Sequence, residues 1–329
     1  MMEWEALNRE RFTSKERSAS IINATLQCDI TVPLSTPTRI DKKDSIRGAL
    51  YGVAVGDALG APLEFMATDE ILAKYGAPVR EMVGGGWLSV EPGEVTDDTQ
   101  MTLAVVEGIL ECPDNPVPAV GRRFIKWLDS APKDIGNTCR DAIQSAKRLI
   151  AEGLDASEAW QLAGEEVAGR SAGRNAGNGA LMRTIYPALY YTEDVAVDWA
   201  LRIGAMTHRN ENSDKYCKAY TQLVSTALID GGEALNSVRA MAEVFPKFPP
   251  TGWVVGSFCC AIHSLANTSS FEDAVVDAVN LGGDADTIGA ITGGLAGAIY
   301  GYSNIPARWV ARLAPDVCQT IERAVGAAL

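Results

Sequence analysis

From residue 45 onward, apolar residues recur at three- and four-residue spacing through one segment after another, the period that gathers them on one face of an α-helix. The spacing predicts helices over 45–59, 99–110, 120–128, 139–152, 157–168, 196–206 and 213–230. Further ones follow over 234–244, 253–266, 271–281, 287–300 and 306–325. Strand-type alternation is scarce, and no linker-like stretch or internal repeat interrupts 46–329. The expectation is an all-α, compact multi-helix bundle in one domain. In the first segment Gly52, Gly56 and Gly60 fall four apart. That spacing leaves one helix face without side chains and lets a second helix approach closely.

Residues 1–45 do not share this pattern. The stretch 3–18 is polar, with scattered Trp4, Leu7 and Phe12, and 30–40 carries Thr, Ser, Pro33 and Pro37 in the manner of an extended connector. This segment reads as an N-terminal arm, with a plain terminal tail as the alternative. It holds seven basic and seven acidic residues, so the net charge of −13 belongs to the rest of the chain. Such an acidic surface argues against nucleic acid as a partner, because phosphate is held by Lys and Arg. The one long apolar run, 288–302, is short for a bilayer span and holds five glycines, so it reads as a buried helix. Seven cysteines without metal-ligand spacing, and no basic-then-apolar leader, point to reduced thiols in a cytoplasmic protein.

Two carboxylate clusters carry the chemistry: Thr96-Asp97-Asp98-Thr99 and Asp284-Ala285-Asp286-Thr287. Each follows a glycine-rich stretch and opens an apolar helix. One acid or Thr at such a place is explained by helix capping. Paired acids flanked by Thr exceed that need and crowd like charges unless a cation lies between them. Hard oxygen donors of this kind suit Mg²⁺, Mn²⁺ or Ca²⁺ and suit Zn²⁺ poorly. Glu64, beyond the Gly60-Ala61-Pro62 break, is either a solvated loop acid or an acid, base or gate over that site. Asp57 reads as structural, bonding nearby amides. The turn Gly177-Asn178-Gly179-Ala180-Leu181-Met182-Arg183 offers amides to a phosphate, a weak signal by itself. His208 stands at a helix end, as cap or as ligand contact, and His263 reads as a packed core residue. On these residues alone, phosphate and sugar chemistry both stay open.

Taken together, the blocks resemble the ADP-ribosylglycohydrolase family: Gly48 to Phe65, Gly93 to Thr99, Gly177 to Arg183, Thr207-His208, and Gly282 to Ala290. They occur in the family's order across about residues 46–310 and are jointly specific. The resemblance implies an all-α fold around a central cleft with two Mg²⁺ or Mn²⁺ ions. Carried over, the metal ligands are Thr96, Asp97, Asp98, Asp284, Asp286 and Thr287. Asn178, Gly179, Ala180, Leu181, Met182 and His208 contact ADP-ribose, and Asp97 or Glu64 moves the proton. The implied reaction removes ADP-ribose from a modified protein side chain, arginine by the nearest likeness. Rival readings are a non-catalytic binding or inhibitor protein on the same fold and a metal-dependent phosphohydrolase.

Residues 1–45 have no counterpart in the family's core. Some bacterial members resemble immunity proteins against ADP-ribosylating toxins, and on that likeness the arm is expected to dock a cognate ADP-ribosyltransferase. Deleting residues 1–40 is then expected to abolish transferase binding in a pull-down while sparing hydrolase activity. Tight binding by the truncated chain would refute this.

Overall fold

The computed structural model describes residues 41–171 and 175–329, so the arm, apart from its last five residues, lies outside the described part. Among the described residues there are fifteen α-helices and no strand. In chain order the first eight are α1 (Lys42–Gly60), α2 (Thr68–Tyr75), α3 (Asp97–Glu111), α4 (Pro116–Asp129), α5 (Asn137–Ala151), α6 (Ala156–Ser171), α7 (Ile185–Tyr190) and α8 (Glu193–Ala205). The remainder are α9 (Glu211–Ile229), α10 (Gly231–Val244), α11 (Val254–Ala266), α12 (Phe271–Val279), α13 (Ala285–Tyr300), α14 (Ala307–Val310) and α15 (Pro315–Ala327). No described helix is long and apolar enough to cross a membrane. The six described cysteines are free thiols.

The all-α expectation holds, with three local differences. The helix expected over 306–325 is two, because Pro315 lacks the N–H a helix needs and holds Ala314 extended (φ −62°, ψ 141°). Helix α2 buries Ile71 alone, so it leaves no apolar period to read. Helix α7 is only six residues long and nearly all buried, so it shows no amphipathic alternation.

Helices α1 and α13 form the centre, and both are buried along almost their whole length. They run antiparallel with backbones in contact: Gly48 faces Gly297, Gly52 faces Gly293, Gly56 faces Gly289, and Gly60 faces Ala285. A Cβ on Gly52 would lie 2.0 Å from the Gly293 carbonyl oxygen, and one on Gly56 would lie 2.0 Å from that of Gly289. No side chain fits there, so glycine is a requirement of packing at these positions. The antiparallel register brings the end of α1 against the start of α13. Helices α3 and α15 pack on α1, and α9, α11 and α12 pack on α13.

Gly52→Val is expected to destabilise the fold by about 3 kcal/mol or more, the upper end for overpacking, because its neighbours are backbone atoms that cannot swing away. Gly326 in α15 has open space around it, and Gly326→Ala is expected to leave stability equal or higher by about 0.4–1 kcal/mol. Urea or thermal melts of both variants check this. A Gly52→Val protein melting like wild type would contradict the packing account.

Candidate active site

Asp57, one turn before the end of α1, is fully buried and organises the first acid cluster. It accepts from the Thr96 amide at 3.0 Å, the Thr96 hydroxyl at 2.8 Å, the Thr99 amide at 3.1 Å and the Thr99 hydroxyl. Those donors fasten the start of α3 to α1, the structural role read from the sequence. Burial nevertheless dominates and raises the Asp57 carboxyl to about 6, with the Thr99 and Thr96 bonds opposing the rise. Thr96 is the N-cap residue of α3, yet its side chain makes no capping bond. Its hydroxyl instead reaches two carboxylates, Asp57 Oδ1 at 2.8 Å and Asp98 Oδ2 at 3.3 Å, each as an acceptor for its one proton.

The second cluster is placed by Gly282 and Gly283, whose φ values of 72° and 63° suit glycine. A Cβ on Gly282 would lie 2.1 Å from the Met66 carbonyl oxygen, and one on Gly283 would lie 1.8 Å from that of Pro250. The Gly283 amide donates to Met66 O at 2.8 Å, the Phe65 amide to Gly283 O at 2.6 Å, and the Asp284 amide to Pro250 O at 3.1 Å. Asp284 is the N-cap residue of α13 but makes no capping bond either. Its Oδ2 accepts from Asn178 Nδ2 at 2.5 Å, and Asn178 also donates to Ser257 Oγ at 2.9 Å. Capping therefore does not account for either cluster.

The two clusters meet. Thr287 Oγ1 lies 3.3 Å from Asp98 Oδ2, across 189 residues of chain. Asp97, Asp98, Asp286, Thr96 and Thr287 are all buried, as is Glu64. Burial first, and then the neighbouring carboxylates, hold Asp97, Asp98 and Asp286 well above the usual carboxylate range. Glu64 is pushed to about 8 by burial, with Asp134 and Asp284 adding to the rise and a bond from Trp87 opposing it. Asp98 Oδ1 is buried without a hydrogen-bond partner among the described residues. Oxygen atoms of Glu64, Asp134 and Asp286 lie within 4.8 Å of one another. A carboxylate oxygen orphaned in the interior, beside several others and two Thr hydroxyls, is a donor set that fits divalent hard cations.

Asp134 was missed in the sequence. It sits in the loop between α4 and α5, where one acid after Pro132 and Lys133 gives no local signal. Trp87 was missed as well: its indole N–H donates to Glu64 Oε2 at 2.5 Å. Of the turn at 177–183, only the polar part faces this region. The side chains of Ala180, Leu181 and Met182 belong to the apolar core, and Leu181–Arg183 is a 3-10 turn. The Asn178 and Met182 amides are already bonded, to Gly252 O at 3.0 Å and Asn178 O at 3.1 Å, so the phosphate cradle expected there is reduced.

His208 is buried against this turn, and a Cβ on Gly177 would lie 3.1 Å from its Nε2. Its Nδ1 is 2.7 Å from Thr207 Oγ1, which accepts from Arg183 Nη2 at 2.7 Å. Burial, helped by the Arg183 charge, lowers His208 to about 3, so the ring is neutral near pH 7. Arg183 is fully buried and also bonds the Gly179 carbonyl, which ties the turn to the end of α8. His263 is half-buried on α11 with Nε2 3.0 Å from Phe245 O.

The profile of the ADP-ribosylglycohydrolase family matches residues 38–329. The chain is 37% identical over 300 residues to the ADP-ribosyl-[dinitrogen reductase] glycohydrolase of Rhodospirillum rubrum, covering 87% of this chain and 96% of that protein. It is 28% identical over 289 residues to the ADP-ribosylarginine hydrolase Tri1 of Serratia proteamaculans, covering 82% of this chain and 75% of that one. A solved structure described as an ADP-ribosylglycohydrolase-related protein complex superposes with a TM-score of 0.70 at 29% identity, over 88% of this chain and 99% of that chain. The chain belongs to the ADP-ribosylglycohydrolase family.

Proposed function

We propose that this protein is a metal-dependent hydrolase that releases ADP-ribose from a modified arginine side chain of a protein. The observation that carries the reading is the meeting of the two acid clusters at Asp98, one of whose buried oxygens has no hydrogen-bond partner among the described residues. The arginine side chain is favoured by the activity for which the Serratia relative is named. The arm at 1–45 is proposed to serve an immunity role by docking a cognate ADP-ribosyltransferase.

Thr96, Asp97, Asp98, Asp284, Asp286 and Thr287 would hold two Mg²⁺ or Mn²⁺ ions. When bound, such ions offset the carboxylate charge, orient ribose hydroxyls and make water at the site more acidic. The residues do the rest. Asp57 holds the Thr96 hydroxyl beside Asp98, and Asn178 fixes Asp284. Glu64, Asp97 and Asp134 are the carboxylates placed to take a proton from water or from a ribose hydroxyl. Glu64 is held by Trp87, and Asp134 is the more exposed of the three. Asn178, Gly179 and His208 line the neighbouring wall, where a neutral His208 offers a hydrogen bond and not a charge. Ala180, Leu181 and Met182 act by anchoring the turn in the core.

Incubation with Mg²⁺ and an ADP-ribosylated arginine protein is expected to give free ADP-ribose. Release of phosphate would favour the phosphohydrolase reading, and no product at all the binding-protein reading. Asn178→Ala removes a partner of a proposed ligand and is expected to cost about 10–100-fold in metal affinity or activity.

Raised carboxyl pKa values also fix a pH dependence. Between the unfolded value near 4 and the folded values of about 6 for Asp57 and about 8 for Glu64, the unfolded chain has lost protons that the fold retains. Metal-free protein therefore loses stability as pH rises through that window. Cations compete with protons at the raised ligand acids Asp97, Asp98 and Asp286 and favour ionised neighbours, so the gain in melting temperature from Mg²⁺ is expected to be larger at pH 8 than at pH 5.5. At about one hundred times the dissociation constant the gain is about 2.7 kcal/mol, or several degrees. Equal melting with and without Mg²⁺ or Mn²⁺ at pH 8 would count against the metal site.

A further inference from the structure

Among the described residues, the exposed large apolar side chains include two aromatics, Phe65 at 69% and Trp87 at 51% exposure, and they sit side by side. Their ring centroids are 5.3 Å apart at 47°. Phe65 directly follows Glu64, and Trp87 is bonded through its N–H to the Glu64 carboxylate at 2.5 Å. Phe65 adopts a φ of 62°, a region unfavourable to an aromatic residue, and its amide is pinned to Gly283 O at 2.6 Å. The backbone is thus held in an uncommon conformation that leaves a ring in solvent beside the acid cluster. With 69% of its surface exposed, that ring adds little to the core.

We infer that Phe65 and Trp87 form an aromatic seat for the cationic guanidinium of the modified arginine, the group on the leaving side of the bond to be cleaved. This rests on the arginine reading proposed above. A guanidinium stays cationic with one nitrogen on a sugar, and Arg stacks on aromatic faces more readily than other cations. Position selects the occupant. Trp87 touches Glu64, whose oxygens lie within 4.8 Å of those of Asp134 and Asp286, so the seat borders the place proposed for the ribose. The guanidinium is one bond from the anomeric carbon, whereas adenine is separated from that ribose by the diphosphate and a second sugar.

The two rings divide the work. Phe65 supplies only a face, whereas Trp87 supplies a face and the N–H that positions Glu64. The test is steady-state kinetics of the full chain with Mg²⁺ on an ADP-ribosylarginine peptide, with free ADP-ribose, which lacks the guanidinium, as competitive inhibitor. Phe65→Leu is expected to raise KM about tenfold with kcat changed less than about twofold. Trp87→Ala is expected to raise KM and lower kcat, and Trp87→Phe to restore KM while kcat stays low. The inhibition constant of ADP-ribose should be the same in every variant. An unchanged KM in Phe65→Leu, or ADP-ribose inhibition weakening in step with KM, would overturn the seat and in the second case would put the nucleotide there. A wild-type enzyme inert on the arginine linkage and active on another would instead overturn the arginine reading, and the seat with it.

Discussion

The structure depends on a contact that excludes side chains. Helices α1 and α13 touch backbone to backbone along four facing pairs of small residues, at distances where a single Cβ would overlap a carbonyl oxygen. Because the helices run antiparallel, this contact aligns the end of one with the beginning of the other. Asp57 lies in the last turn of the first and Glu64 just beyond its end, while Asp284 stands at the N-cap of the second and Asp286 and Thr287 open it. Two parts of the chain more than two hundred residues apart are thereby held in register by packing, before any polar group contributes. The α3 acids are then added through Asp57, so the same contact positions all three carboxylate-bearing segments.

What this frame holds together is electrostatically unfavourable by itself. Asp57 shows how a buried carboxylate is tolerated: amides and hydroxyls of Thr96 and Thr99 surround it. Asp98, one helix over and equally buried, has an oxygen with no donor among the described residues. A fold that needed Asp98 only for capping would surround it as Asp57 is surrounded, since an unpaired buried charge costs several kcal/mol or is neutralised by a proton. The contrast between these two aspartates is the observation that favours a cation beside Asp98 in the function proposed.

Legibility in the sequence followed locality. The helical period showed the bundle, and the four-residue glycine spacing in α1 foretold a close helix partner without naming it. The Thr96–Thr99 and Asp284–Thr287 clusters were visible because several donors crowd into four positions. Asp134 was not, being a lone loop acid whose meaning comes only from where the α4–α5 connection lands. Trp87 looked like any apolar residue, since its importance lies in one N–H aimed at Glu64. The turn after Gly177 was legible as glycine-rich, yet its Ala180, Leu181 and Met182 side chains turned out to be core, because the 3-10 turn at Leu181–Arg183 rolls them inward. The short helices α2 and α7 escaped because one is nearly all exposed and the other nearly all buried, so neither shows a two-faced pattern.

The claim at the centre is that the two acid clusters together bind divalent cations. The most direct measurement is diffraction from crystals grown with Mn²⁺, with anomalous data collected near the manganese edge. The account predicts two anomalous peaks enclosed by Asp97, Asp98, Asp284 and Asp286, next to the Asp98 oxygen that has no partner among the described residues. Crystals saturated with Mn²⁺ that show no peak in this cluster, or peaks only at surface carboxylates, would contradict it.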